Sequence, residues 1–579
     1  MTSITSSTTT ESHLPACIPA EPFTPFSQEW VSITKEEYIE LTCQINYWKA
    51  QHAKLKQKCA ELEDACQYKD AKIKDLQKRI FGKKSEKQSA AKSEKGEHNA
   101  TKRNRGQQPG SAGHGRTQRP DLPVIPEVLD LSEEEKSCSC CGLPYVPTPA
   151  LDKQNDFIEV EVNAYIRRVR RPAYQRNSGC CCPQTPAIIT AGQLPRLIPR
   201  SPYQVSFWVE VLLGKFHYSQ PTNRYLQDLS DQALDVSPGT VAGGLKKLAP
   251  LFEPMIDALY QKQMTEALFH NDETRWEVFV ELEGKVGTRW YLWVTRSQSV
   301  VFFILDPSRS AAVPGAHFAG LQQERVIIVC DRYSAYKKLA RLSDIILLAF
   351  CWAHVRRDYL DAGRSYKELE AWMLEWKDRI GALYHQNHLR LEQWDPMSPL
   401  YQQNSDFERH HQAVQKILQT MRAEALRLTS DNEEELDEAT LALSRGARKQ
   451  QMKVYNSLLT HWEGLTLFVE NPQVPMDNNL AENTIRGPVT GRKNYYGSGS
   501  LWSAGLAASL FSILKTLGLW GINPRHWLSA YLTACAGNGG KAPADMSAYI
   551  PWEMSEARRS ELMHPQAWEP RAIPPLDTS

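Results

Sequence analysis

Val326-Ile-Ile-Val-Cys-Asp331-Arg-Tyr-Ser-Ala-Tyr336 decides how this chain is read. Five apolar residues run straight into an acid. A run that short and apolar reads as a strand, and the carboxyl end of a buried strand is where open α/β sheets place their chemistry. Outward from it the texture repeats. Residues 267–280, 288–294, 300–305 and 345–350 are further β-branched and aromatic runs, and 310–321 reads as helix. Together they predict a mixed α/β core of about five strands. A second acid, Asp272, lies inside the first strand in His-Asn-Asp-Glu-Thr. Alone, either acid would serve equally as a helix cap or a surface charge.

Directly after the fifth strand stands Cys351-Trp-Ala-His354-Val-Arg356-Arg357-Asp358, followed by a charged, helical stretch with no strand-like run over 359–470. This is an insertion. The chain then reaches Asp477-Asn478-Asn479-Leu-Ala-Glu482-Asn-Thr-Ile-Arg486, Gly-Pro-Val-Thr, and Gly-Arg492-Lys493-Asn-Tyr-Tyr-Gly-Ser-Gly-Ser500. It opens like a helix, with Asp477 able to cap and Leu480, Ala481 and Ile485 able to face a core. Read alone, it is an acid beside a basic loop, suited to a metal held against phosphate. Equally, it is a plain amphipathic helix with a Glu482–Arg486 pair at i,i+4. Position separates the two readings, because Glu482 follows two strand acids. Asp, Asp and Glu are the minimum set for holding two magnesium ions about 4 Å apart, and hard oxygen ligands select Mg²⁺ or Mn²⁺ over zinc.

The chain has 579 residues, and its 68 Lys and Arg nearly cancel 67 Asp and Glu. Net charge therefore says nothing about nucleic acid; only local patches can. The Ser/Thr-rich start lacks the basic and apolar regions of a signal peptide. The most membrane-like run, 504–522, contains Lys515 and reads as a buried helix. Clustered cysteines without a secretion signal point to a reducing compartment and to metal. A cytoplasmic protein with no membrane contact is expected.

Residues 41–80 carry apolar side chains at alternating steps of four and three, from Leu41, Ile45 and Trp48 through Leu55 and Leu62 to Ile80, broken by His52 and Lys69. That is a coiled-coil pattern, and self-association is the favoured reading. Residues 82–120 hold ten Lys and Arg against three Glu, a flexible tract able to neutralise DNA phosphates. Cys138-x-x-Cys141-Gly is half of a structural zinc site; Cys180 and Cys182 offer an irregular second half. Between them, 157–174 alternates like a strand and carries Arg167 and Arg168, a candidate DNA contact. Residues 201–260 read as helical, with Ser237-Pro238 starting a helix that bears Lys246 and Lys247 in a helix-turn-helix-like pattern.

His-Asn-Asp-Glu-Thr, Val-Cys-Asp-Arg-Tyr-Ser-Ala-Tyr, Cys-Trp-Ala-His-Val-Arg-Arg and Asp-Asn-Asn-Leu-Ala-Glu-Asn-Thr-Ile-Arg with Gly-Arg-Lys-Asn together resemble the large transposase of the insertion sequence 66 family. So do Phe81-Gly-Lys-Lys-Ser-Glu-Lys and Gly106-Gln-Gln-Pro-Gly. The resemblance covers most of the chain. It implies a DDE transposase with an RNase H-like catalytic core and a helical insertion before the final Glu. Asp272, Asp331 and Glu482 fall on the catalytic triad, holding Mg²⁺ or Mn²⁺. His354, Arg356, Arg357, Asn478, Asn479, Arg486, Arg492 and Lys493 fall on its other motif positions. The basic residues read as phosphate contacts, and the amides as groups that orient Glu482 or bind a DNA end. The family's second Cys-x-x-Cys is replaced here by Tyr174-Gln-Arg-Asn-Ser-Gly-Cys-Cys-Cys, which shifts the zinc assignment to Cys138, Cys141, Cys180 and Cys182. Double-stranded DNA, a second copy of the chain and two small accessory proteins of the same element are the implied partners. A bacterial cytoplasmic location, on the nucleoid when DNA is bound, goes with them. A nuclease of the same fold and an inactive DNA-binding relic are the other readings.

The expected organisation is a disordered 1–35, a coiled coil at 36–81 and a basic linker at 82–121. A zinc-ribbon-like segment at 122–198 and a helical domain at 199–262 precede the core. The core spans 263–358 and 471–535 around the insertion at 359–470, with a tail at 536–579.

Overall fold

The computed structural model describes residues 32–81, 164–175, 188–190, 192–283, 287–395, 397, 404–429 and 438–563. Cys138, Cys141, Cys180 and Cys182 lie outside them, as do the basic linker and most of the segment around it. The chain divides into two units, Met1–Lys83 and Lys84–Ser579.

Among its described residues, the first unit is one helix, α1 (Lys35–Phe81). Thr34 and Glu37 start it reciprocally: the Thr34 N–H donates to the Glu37 carboxylate at 2.8 Å, and the Glu37 N–H donates to the Thr34 hydroxyl at 3.2 Å. Leu41, Ile45, Trp48, Leu55 and Leu62 stand exposed along it.

In the second unit the first element among the described residues is a short antiparallel pair, β1 (Ala173–Gln175) and β2 (Ile188–Thr190). Among the described residues, the strand expected from 157 appears only from 173. Residues 164–172 take no regular structure, and 165–174 are exposed, so no buried face fixes an alternating strand there. The expected helices follow as α2 (Val205–Leu212), α3 (Thr222–Asp231), α4 (Pro238–Leu248) and α5 (Glu253–Gln263). α4 starts as its sequence dictates: Pro238 takes the first position and the Ser237 hydroxyl accepts the Thr240 N–H. Gly244 lets α4 close on α2, since a Cβ there would lie 1.8 Å from the Trp208 ring.

The core is a mixed sheet of β3 (Leu268–Val278), β4 (Arg289–Arg296), β5 (Val301–Asp306), β6 (Val326–Cys330) and β7 (Ile346–Phe350). α6 (Ala312–His317) connects β5 to β6, and α7 (Ser334–Arg341) connects β6 to β7. The strand order is β5-β4-β3-β6-β7, with β4 antiparallel to both neighbours and β3, β6 and β7 parallel. β6 is buried along its whole length, as an apolar run between helix layers must be.

α8 (Trp352–Ser365) leaves the sheet, and the insertion continues as α9 (Glu370–Glu392), α10 (Ser405–Leu428), α11 (Glu438–Leu441), α12 (Arg445–Thr460) and α13 (Trp462–Glu470). Arg390, fully buried, donates to the Phe468 and Val469 carbonyls at 2.9 Å each and so caps the end of α13. The chain then returns to the sheet as α14 (Asn479–Tyr495) and the two-residue strand β8 (Gly497–Ser498), which pairs with β3. Gly497 has φ +147°, and a Cβ there would lie 2.0 Å from the Glu277 carbonyl oxygen, so only glycine allows this pairing.

α15 (Leu501–Leu519) is long and apolar enough to cross a membrane, yet it lies on the edge strand of the sheet. Its polar residues explain why. Ser512 and Thr516, both fully buried, accept the free N–H groups of Phe303 and Val301 on β5 at 2.8 and 3.0 Å. α16 (Pro524–Gly537) and α17 (Glu556–Met563) complete the unit. Much of the stretch assigned to a tail from 536 is packed instead. The Trp527 indole donates to the Tyr549 carbonyl at 2.8 Å, and Leu562 is buried.

Candidate active site

The alternation of β3 arranges the site. His270, Asp272 and Thr274 share one face; Phe269, Asn271 and Glu273 share the other. β3 and β6 pair in parallel as Leu268–Ile327, Phe269–Ile328 and His270–Val329. Two residues further along, that register sets Asp272 level with Asp331, just past the end of β6. The Asp331 carboxylate accepts the Tyr333 N–H at 2.9 Å, which turns the chain into α7.

α14 is fastened across the same face of β3 at both ends. At its start the Asn478 side chain donates to the Asn271 carbonyl at 2.7 Å, and its amide oxygen lies 3.3 Å from His270 Nδ1. Near its end Arg492 donates to the Thr274 hydroxyl at 3.2 Å and to the Arg275 carbonyl. Between these anchors Arg296 of β4 reaches Thr484 at 3.2 Å. Glu482, one turn in, is thereby placed within electrostatic reach of Asp272. The Glu482–Arg486 pair is not among the ion pairs of the described residues. Glu482 Oε1 instead lies 3.9 Å from His354 Nδ1, because the helix turns this carboxylate toward the sheet while Arg486 points outward and is exposed.

The charges of the neighbouring acids act on Asp272. Burial pushes the Asp272 carboxyl up to about 7, and the neighbouring charges of Glu273, Asp331 and Glu482 push the same way against one backbone hydrogen bond. Glu273 is also raised, first by burial, although Tyr336 donates to it at 2.7 Å and Arg309 at 2.6 Å. The Arg309–Glu273 pair belongs to the opposite face of the strand, and no ion pair of the described residues involves Asp272. A carboxyl raised by burial and by neighbouring acids is relieved by a divalent ion, and an all-oxygen donor set suits a hard one. Asp272, Asp331 and Glu482 fit that group.

His354 is held below its usual value, by burial first and then by Arg357, while Glu482 and Asp331 oppose the shift. Arg357, Asn479 and Lys493 are exposed, and Arg356 is half-buried. Asn478, at 2 % exposure, and Arg492 are spent on β3. Arg167 and Arg168 are exposed in the irregular stretch before β1. Sequence reasoning missed His270, Arg296 and Cys351. The period-two alternation of β3 was a signal for His270. The Cys-x-x-His spacing at a helix start was one for Cys351, whose Sγ accepts the Asn478 N–H at 3.3 Å.

Fold and site define an α/β protein, a mixed sheet with helices, that carries acids along and at the ends of its central strands. The chain belongs to the IS66 transposase family, whose model matches residues 200–505. Membership implies an enzyme that uses a divalent metal and acts on DNA. Curated relatives in Sinorhizobium fredii (strain NBRC 101917 / NGR234) include the uncharacterized protein y4hP, 22 % identical over 74 % of this chain and 76 % of its own length. The uncharacterized protein y4qI is 24 % identical over 74 % of this chain and 76 % of its own. No solved structure matches the chain.

Proposed function

We propose that the chain is a DDE transposase that binds the terminal inverted repeats of its element, cuts at the ends and joins the freed 3′-hydroxyls to target DNA. The observation that carries this reading is that Asp331, at the end of β6, and Glu482, on α14 beyond a helical insertion, both act on the buried Asp272 carboxyl. The strand order, with one antiparallel strand, supports an RNase H-like core.

Asp272 and Asp331 hold one edge of the cation site from adjacent parallel strands, and Glu482 closes it from α14. When bound, two Mg²⁺ or Mn²⁺ ions activate the attacking hydroxyl and stabilise the leaving oxygen of an in-line displacement. Water breaks a phosphodiester at the element end and leaves a 3′-hydroxyl. That hydroxyl then attacks a target phosphodiester, forming one P–O bond as another breaks, so joining needs no external energy source. Asn478 and Arg492 orient the helix that carries Glu482. His354, Arg356, Arg357, Arg486 and Lys493 are the phosphate contacts, with Asn479 at the DNA end. Arg167, Arg168 and the helices α3 and α4 extend the DNA surface. Structural zinc on Cys138, Cys141, Cys180 and Cys182 belongs to this reading. So do pairing through α1, whose exposed apolar seam supports it, accessory proteins of the same element, and a bacterial cytoplasmic location.

Glu482→Gln tests the assignment on labelled terminal-repeat duplex with Mg²⁺. End binding is retained while cleavage and joining are lost; joining that persists removes the triad assignment. Cleavage by the native chain with no joined product favours a nuclease of the same fold.

A further inference from the structure

Beside the carboxylates lies a donor set of different chemistry. Cys351, His354 and Glu482 each offer a ligand atom, and the three atoms lie within 4.8 Å of one another. Cys351 stands at the N-cap position of α8, and its buried Sγ accepts the Asn478 N–H at 3.3 Å. Burial holds the Cys351 thiol above its usual value, with the Asn478 N–H opposing the shift, so metal binding there releases a proton. His354 Nδ1 is buried, makes no hydrogen bond, and lies 3.9 Å from Glu482 Oε1. A nitrogen in that position, with a carboxylate and a sulfur beside it, is a ligand awaiting an ion.

We propose that Cys351, His354 and Glu482 form a thiophilic metal site that takes zinc, and that zinc there holds Glu482 away from Asp272 and Asp331. Ligands of one tetrahedral zinc stand about 3.5 Å apart, so the three atoms close by about 1 Å through side-chain rotation. Sulfur and imidazole select zinc, or cobalt as its probe, over magnesium, and three protein ligands leave a fourth position for water. Asp272 and Asp331 stay outside this set, so one carboxylate is shared between a soft site and a hard one. The chain then has two exclusive states of Glu482, a zinc-held resting state and a magnesium-competent one. That exclusivity rests on the function proposed above; the zinc site itself does not.

The test uses the full chain and metal alone. Crystals grown with Zn²⁺ and measured at the zinc edge are expected to show an anomalous peak bounded by Cys351, His354 and Glu482; no peak there overturns the proposal. In solution, Co²⁺ is titrated and its thiolate charge-transfer band recorded. Cys351→Ser loses one equivalent of that band relative to the native chain, whatever the cysteines before residue 190 contribute to both. His354→Ala weakens the same equivalent by more than about 100-fold, and serves as the comparison if Cys351→Ser does not fold. Glu482→Gln keeps the band and weakens binding less. Unchanged stoichiometry and affinity in both Cys351→Ser and His354→Ala overturn the site. A chain that binds zinc here yet never cuts end DNA with Mg²⁺ removes the proposed function and leaves the site. One that cuts with Mg²⁺ and binds no zinc here removes the site and leaves the function.

Discussion

Replacing Asp272 by Asn is expected to stabilise the metal-free chain, and only above a defined pH. Its carboxyl titrates near 7 in the folded chain against an ordinary 3.8, burial being the first cause and the charges of Glu273, Asp331 and Glu482 adding to it. The folded chain therefore holds this proton more tightly than the unfolded chain does. Between about pH 4 and pH 7 the folded state binds more protons here, so this group's contribution to stability falls as pH rises and is fully lost above 7. At about 1.4 kcal/mol per pH unit, the cost reaches at most about 4 kcal/mol. Asparagine has no charge to bury. Urea denaturation of the native chain and Asp272→Asn in EDTA, at intervals from pH 4 to 8, measures the difference. It should be near zero at pH 4, grow through pH 7 and then level off with the variant more stable. His270 and His317, each lowered to about 4 chiefly by burial, push the opposite way, losing stability as pH falls below 6.5. Both proteins carry them, so they cancel in the difference. Added Mg²⁺ should close the gap by stabilising only the native chain. A difference that is flat from pH 4 to 8, or a variant less stable at pH 8, would refute the reasoning.

Other expectations follow from the same contacts. Arg492→Ala removes the anchor at the end of α14 and should cost about 1–3 kcal/mol in denaturation. It should also lower Mg²⁺-dependent cleavage more than end binding, since Glu482 loses its placement; equal losses in both would make Arg492 a DNA contact instead. Deleting residues 36–81 should leave a monomer by sedimentation, and an unchanged oligomer removes the pairing assigned to α1. Metal analysis of the purified Cys351→Ser chain, which lacks the sulfur of the proposed later site, should return at least about one zinc per chain on the early cysteines, and less means that Cys180 and Cys182 are not ligands.

What the sequence made legible was what local pattern controls. β-branched runs placed β3 to β7 within a few residues of where they lie, because a buried strand has few other compositions. Ser237-Pro238 announced the start of α4 because cap and ring act within one turn. The partners of Asn478 were not legible: His270 and Asn271 stand 208 and 207 residues away, and only the folded sheet brings them to it. An exposed-looking amide in an amide-rich run thus became the buried pin of a helix. The same distance effect misdirected Glu482. Its i,i+4 partner Arg486 is close in sequence, yet the helix is oriented by Asn478 and Arg492, so the carboxylate faces His354 and the strand acids instead. The residues that fix the geometry of this site are therefore not the acids but the groups that fasten α14 to β3. A family motif rich in amides and arginines around one glutamate follows from that need. A strand sets its own acids by alternation, whereas a helix returning after a long insertion must be tied down at both ends before its one carboxylate can meet them.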